Sequence, residues 1–310
     1  MPAKRIRKPA KKVAVVPVVA YQPSDLIIKD TPDKGKGVFS STAIPQGTLI
    51  IAEEPIVTFP AIHSPNQIVK AAEACSQEAR DKLLTFSYSP AYASLHPFHR
   101  IAKTNCVPMP ERGQAGLFET ICRVNHDCRS NAQYFWNEAL GKEVLHALVD
   151  IPTGEEITVC YSTVLDRRER REALQSSWAF SCQCPSCLLP PDDLAKSDQR
   201  MSQLSDIIDA VPMLLHTSPI SALAKIRQAV GIIEEEKYYS LLPAQYYDAF
   251  QTCVAWGDLS NSKVWAGRAA DAYSRSRGAG GPDVVRMRAF EENPKSHPSW
   301  GKLGTRRLNS

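Results

Sequence analysis

The sequence predicts an α+β protein with a β-rich first half, a helical insert within it, and an α-helical second half. Three observations carry this. Runs of β-branched residues broken by turn chemistry occupy Asp25 to Pro60 and return from near Leu117 to Tyr161. From Pro190 onward the apolar residues recur at helical spacing instead. Between the halves stands a dense cysteine array, "FSCQCPSC".

The first block contains "LIIKD" and "LIIAEEPIVTF", two strand-like runs. They flank "TPDKGKGVFSSTAIPQGTLI", in which Gly35 and Gly37 permit positive φ or close backbone approach and Pro45-Gln46-Gly47 reads as a tight turn. From Asn66 to Phe86, Ile68, Val69, Ala72, Ala79, Leu83 and Leu84 give an amphipathic helical pattern. The second β-rich block includes "EVLHALVDIPTGEEITVCY", with Pro152-Thr153-Gly154 as a turn between two short strands. "DRRERREALQSSW" reads as a charged, exposed helix. In the second half, Leu204, Ile207, Ile208 and Val211, and then Leu223, Ile226 and Val230, mark successive helices. "WGDLSNSKVWAGRAADAY" is similar to a tetratricopeptide-like hairpin, although no repeat of about 34 residues runs through the segment.

With 310 residues the chain is long enough for one large domain and a smaller one. Its hydrophobic share of 43% and charged share of 23% are ordinary for a globular protein. No apolar run approaches the roughly 18 residues of a membrane span, so no membrane association is expected. The basic start is followed by no long apolar segment, so no secretory signal is expected either. The net charge of +4 is concentrated rather than spread. Lys4, Arg5, Arg7, Lys8, Lys11 and Lys12 precede any acid, and the remaining 31 basic residues face 33 acidic ones. The segment 1–24 is therefore expected to be a basic, disordered tail, suited to solubility, nuclear targeting or weak nucleic-acid contact. The near-neutral body argues against a nucleic-acid binder proper, whose affinity would rest on phosphate contacts.

Nine cysteines, an odd number, argue against a disulfide framework. Cys182, Cys184 and Cys187 form a C-x-C-x-x-C array too tight for core packing or for an unstrained disulfide. A structural zinc ion, tetrahedral with four Cys or His ligands, fits better. The array supplies three, and Cys128, Cys160, Cys122, His126 and His146 all remain open as the fourth.

Four motifs in order resemble SET-domain protein lysine methyltransferases. They are "GKGVFSSTAIPQGTLI", "NHDC" with Asn131 downstream, "GEEITVCY", and the C-x-C-x-x-C array. The resemblance covers about Asp25 to Leu189, and the cysteine spacing with a helical C-terminal half is similar to the fungal SET proteins and their SMYD relatives. Those relatives carry a MYND zinc finger inside the SET region. Here the insert holds only Cys75 and Cys106, so that finger is expected to be absent. The resemblance implies a β-rich SET domain with a pseudoknot-like core over 25–178, with its helical insert at about 61–115. It also implies a zinc-bound post-SET segment over 179–190 and a TPR-like helical C-terminal domain over 191–310.

It further implies one structural Zn2+ on Cys128, Cys182, Cys184 and Cys187, with S-adenosyl-L-methionine as cofactor and the ε-amine of a lysine in a histone or non-histone protein as acceptor. Such a transfer is an in-line displacement, and much of its acceleration is positioning. By the same resemblance Tyr161 is the catalytic tyrosine, also touching the cofactor, and Phe180 an aromatic lining the adenine or lysine channel. Asn125 and His126 are the cofactor-binding pair, and Lys34, Gly35 and Lys36 the loop at the cofactor's amino-acid end. Asn105 is a further cofactor-contacting residue. Tyr134, Phe135 and Trp136 are candidates for the channel wall, although alternation prevents all three from facing one way. Two departures stand out: Asp127 replaces the family's Ser, and Ser130 its Pro, freeing φ at that turn. The rival reading is a catalytically silent SET-fold module that binds a partner protein through its helical domain. Either would act in the nucleus, the cytoplasm or both.

Overall fold

Glycine and side-chain bonds at one turn explain how the first strands come together. Gly35 takes φ +75° and the Thr31 hydroxyl donates to its carbonyl at 2.9 Å, which turns the chain back on itself. The computed structural model that shows this describes residues 25–32 and 34–308, and the basic segment 1–24 lies outside the described residues. In chain order it contains β1 (Leu26–Thr31), β2 (Gly35–Ser40), β3 (Leu49–Glu53), β4 (Val57–Pro60), α1 (Pro65–Glu73), α2 (Gln77–Leu84) and α3 (Pro97–Asn105). Then come β5 (Val107–Met109), β6 (Gln114–Leu117), β7 (Asn125–His126), β8 (Ala132–Asn137), β9 (Lys142–Ala147), β10 (Glu156–Val159) and α4 (Arg167–Trp178). The second half is α5 (Pro191–Thr217), α6 (Pro219–Glu236), α7 (Leu242–Ala255), α8 (Leu259–Arg277) and α9 (Pro282–Glu292).

The strands form three small sheets, in the orders β1-β2-β10-β7, β3-β9-β8 and β4-β6-β5. The first sheet matters most for the site. β10 lies between β2, which it meets antiparallel (Ile157 opposite Val38), and β7, which it meets parallel (Thr158 opposite Asn125, Val159 opposite His126). "ITVCY" is thereby laid beside "NH" although the two are distant in sequence. Asn131 locks the pairing: its Nδ2 donates to the Glu156 carbonyl and its Oδ1 accepts from the Thr158 amide, both at 2.8 Å. Two buried backbone groups that the short strands leave over are satisfied in this way.

Strand structure resumes earlier than the expected Leu117. β5 and β6 close the third sheet on β4, with Val57 opposite Leu117 and Val107 opposite Gly116. Pro108 and Pro110 disguise this in the sequence. Pro108 is tolerated because β5 is an edge strand, where a missing N–H costs nothing. The three insert helices bury Ile68, Leu83 and Ile101 against this sheet.

The second half is a set of helical hairpins. α7 and α8 pack on each other, as do α8 and α9, and Leu204, Ile207, Leu223, Ile226, Phe250 and Trp265 fill the centre. Asp258 caps α8 by accepting from the Asn261 amide at 3.1 Å and pins the chain near its end by accepting from the Leu308 amide at 2.7 Å. This core continues without a break into Leu174 of α4 and the four clustered cysteines. Helix α4 is accordingly not the fully exposed helix its composition predicts. Arg170 and Leu174 are buried, because one face of α4 is pressed between the cysteines and the helical half.

Candidate active site and metal centre

Helix α4 ends against a cleft of about 520 Å³ between the β1–β2 turn, the insert and the chain after α4. Lys34, Gly35, Lys36, Asn105, Asn125, His126, Tyr161 and Phe180 all line it. Tyr134, Phe135 and Trp136 do not. Trp136 is buried in the core of the strand-rich half, Tyr134 packs against that core, and Phe135 meets the guanidinium of Arg277 on α8 at 4.4 Å. The β8 strand that carries them turns toward the core and the helical half.

His126 is the hinge between cleft and metal centre. Its Nδ1 accepts from the Tyr161 amide at 3.0 Å, so the ring proton resides on Nε2, which lies 3.4 Å from the Cys128 sulfur. Burial is the main cause lowering its pKa to about 4, so the ring is neutral near pH 7. Tyr161 donates its hydroxyl to the Val124 carbonyl at 2.7 Å and packs its ring on His126 and Trp178. Burial raises its phenol above the ordinary range, so it keeps its proton.

At the cleft's polar end the Lys34 ammonium meets Glu156 at 3.1 Å, and the other oxygen of Glu156 accepts from Asn125 Nδ2 at 2.8 Å. Lys36 pairs with Asp30 at 3.3 Å. An ammonium has three donors, so both lysines can still take an anionic ligand. Gly37 leaves room for this pair: a Cβ would stand 2.7 Å from Glu156 Oε1 and 3.0 Å from Asn125 Nδ2 and would displace them. Asn105 spends its amide hydrogens on the Ser87 and Ile101 carbonyls, both at 2.8 Å.

The opposite wall is aromatic. Ala179 takes the left-handed conformation (φ 58°) at the end of α4, and this turn lets Trp178 and Phe180 both line the cleft. Such a φ is uncommon for alanine, so the surroundings must hold it. The Tyr92 hydroxyl donates to the Ser177 carbonyl at 2.6 Å, and Arg171 reaches the Ser181 hydroxyl at 2.7 Å. Trp178, Arg123 and Tyr88 line the cleft without having been singled out from sequence. A tryptophan at a helix end and an arginine before a motif have no distinguishing spacing.

Behind this wall Cys128, Cys182, Cys184 and Cys187 bring their sulfurs within 4.8 Å of one another, and none is more than 5% exposed. Cys128 lies 3.9 Å from Cys182 and 3.7 Å from Cys187. A tetrahedron of sulfurs at Zn–S of about 2.3 Å has edges of about 3.8 Å, so the donor set fits zinc with no open position. Among the described residues it is also the group of His, Cys, Asp and Glu side chains spaced to hold a metal. Of the other sequence candidates, His126 turns Nε2 toward the Cys128 sulfur from outside the cluster, and the remaining three point elsewhere. Cys160 donates to the Ser162 carbonyl, Cys122 to the Asn105 carbonyl, and His146 lies on β9 facing Gly278.

The two departures in the loop after Cys128 also have a structural account. Asp127 Oδ1 accepts from the Arg129 amide at 2.8 Å, a side-chain turn that supplies the restraint a proline would have given. Burial, then Cys184, raises the Asp127 pKa to about 6, a sign that the carboxylate is held here at some cost. Arg129 itself leaves the strand-rich half and binds Glu236 at the end of α6.

Comparison with known proteins agrees with this geometry. The family model for the SET domain matches residues 35–162. Histone-lysine N-methyltransferase set5 of Schizosaccharomyces pombe is 29% identical over 271 residues, covering 86% of this chain and 83% of that protein. Histone-lysine N-methyltransferase SMYD3 of Homo sapiens is 31% identical over 194 residues, 59% of this chain and 45% of that protein. Protein-lysine N-trimethyltransferase SMYD5 of Mus musculus is 38% identical over 85 residues, 26% of this chain and 20% of that protein. The chain thus spans most of the Set5 relative but less than half of the SMYD relatives. Residues 35–162 are a SET domain, and the chain is similar over most of its length to the Set5 histone-lysine methyltransferase and over part of it to the SMYD proteins.

Proposed function

We propose that the chain methylates the ε-amine of a lysine in a protein substrate, with S-adenosylmethionine as donor and one structural zinc. The observation that carries this is convergence: eight residues spread between positions 34 and 180 line one cleft, at whose buried side Tyr161 keeps its proton. When bound, S-adenosylmethionine supplies a methyl group activated on a sulfonium sulfur. Lys34 and Lys36 suit its carboxylate, Asn105 and Asn125 its polar edges, and Phe180 and Trp178 its flat ring. A cleft of this size is in the usual range for such a ligand.

Tyr161 orients the acceptor rather than deprotonating it. A buried, protonated phenol is no base near pH 7. Because its hydroxyl hydrogen is committed to the Val124 carbonyl, the oxygen is left to act as an acceptor. An amine N–H donated to that oxygen would hold the nitrogen lone pair in line with the methyl group. The lysine must lose its own proton on entry, and transfer from water into an apolar site lowers its pKa from about 10.4. The zinc has no reacting role in this scheme, since four thiolates leave no open position. It would fasten the segment that carries Phe180.

The acceptor is a histone or another protein, and the site of action is the nucleus, the cytoplasm or both. No described helix is long and apolar enough to cross a membrane. The test is transfer of label from S-adenosylmethionine to proteins of the organism's own lysate. Wild type should label at least one protein. Tyr161→Phe should slow transfer by about 10²-fold, while calorimetry gives S-adenosylhomocysteine binding within about twofold of wild type. Absence of both labelling and cofactor binding would return the chain to a silent interaction module.

A further inference from the structure

Four thiolates on a divalent zinc carry two net negative charges, and burial without counter-charges would cost several kcal/mol. Several cationic and polar groups face this charge. Arg170, itself buried, donates from Nε to the Cys128 sulfur at 3.2 Å. Its Nη1 is fixed by the Val164 and Leu165 carbonyls at 3.0 and 2.7 Å, and its guanidinium lies 5.9 Å from the centre of the Tyr238 ring. Arg129, next in chain to Cys128, reaches across to Glu236, a carboxylate with no solvent exposure. Glu236 also takes the Ser197 hydroxyl at 2.7 Å and Arg200 Nε at 2.5 Å. Lys237 then adopts the left-handed conformation (φ 58°), and this turn at the end of α6 places Tyr238 on the Arg170 side. The negative centre and Glu236 are thus matched by three guanidiniums, one from α4, one from the Cys128 loop and one from α5.

We propose that Arg170 is the positioning cation of the zinc centre, and that Glu236 and Tyr238 at the end of α6 are the helical half's grip on it. On this reading α5–α9 do not merely hang a partner-binding surface on the SET domain. They complete the outer surroundings of its metal, and through Cys182 and Phe180 they steady the cofactor wall. The inference rests on zinc occupancy alone and holds whether or not the chain transfers methyl groups.

The test uses the full zinc-loaded chain and its cobalt-substituted form. Arg170→Met keeps the side-chain bulk and removes the charge. It should release zinc to a chelating dye about ten-fold faster than wild type, the usual scale for a partner of a metal ligand. It should also shift the thiolate-to-cobalt charge-transfer band, which a purely structural role would leave in place. Arg170→Lys, which restores the charge, should recover most of the release rate. Glu236→Gln should quicken release without moving the band, since it touches no sulfur. Wild-type release with an unmoved band in Arg170→Met overturns the role of Arg170. Should that variant fail to fold, Arg170→Gln, which also removes the charge, overturns it equally if its release is wild-type and its band unmoved. Unchanged release in Glu236→Gln overturns the grip from α6.

Discussion

The four-cysteine cluster and the cleft share one short stretch, Asn125 to Cys128, yet they are built in opposite ways. The thiols are almost wholly buried in a core common to both halves of the chain. The cleft instead opens on charged groups in contact with water, and the side chains of Lys34 and Lys36 are 43% and 45% exposed. On the proposed function, dry chelation would fix where things stand, and wet, adjustable cations would meet the ligand. If that division holds, breaking the dry side must damage both sites, while breaking the wet side must damage only one.

The largest effect is therefore expected from Cys128→Ser. It removes one of four ligands and leaves the Arg170 guanidinium without its sulfur. Metal analysis should fall from one equivalent toward none, and S-adenosylhomocysteine binding should be lost with it, because Phe180 and Trp178 hang from the same segment. A full equivalent of zinc held at unchanged affinity would assign the fourth ligand elsewhere and undo the comparison.

How much of this was readable beforehand differs between the two regions for the same physical reason. The C-x-C-x-x-C triad is local, so spacing alone pointed to metal. Its fourth ligand depends on a parallel pairing of β7 with β10, a non-local event that no spacing encodes. Five candidates stayed equivalent until the family resemblance chose Cys128. The two halves of the fold were legible from the period of their apolar residues, but β5 was hidden by its prolines. Arg170 was unreadable. In "RRERRE" one buried arginine looks like its exposed neighbours, and only the packing of α4 distinguishes it. Tyr134, Phe135 and Trp136 were misplaced because alternation says that side chains diverge, not which face meets the cleft.

A second dry junction gives an intermediate effect. His146 on β9 is buried against the end of α8, where a Cβ on Gly278 would come within 2.9 Å of its ring, and its Nδ1 has no hydrogen-bond partner. Burial lowers its pKa from 6.5 to about 4. Below 6.5 the unfolded chain binds a proton that the folded chain refuses. This contribution is complete above that pH, is lost as pH falls toward about 4, and stays constant below. The loss is roughly 3 kcal/mol at most for this one group. Urea unfolding at pH 7 and pH 4.5 should show it, and His146→Leu should reduce the difference. An unchanged difference in the variant would mean that the junction between the halves is not where acid acts.

The smallest effect probes the wet side. Lys34 already has a partner in Glu156 at 3.1 Å, so a cofactor carboxylate bound there would gain only the difference between the two pairings. Exposed pairs of this kind are worth about 1 kcal/mol or less, and salt weakens them. Lys34→Met should thus weaken S-adenosylhomocysteine binding by about two- to five-fold at low salt and less at high salt. It should leave zinc content untouched. Methylthioadenosine, which has the same adenine and ribose but no amino-acid arm, should bind the variant and wild type alike. Equal weakening of both ligands would mean that Lys34 shapes the β1–β2 turn rather than meeting a carboxylate, and the cleft's polar end would then have to be assigned to Lys36.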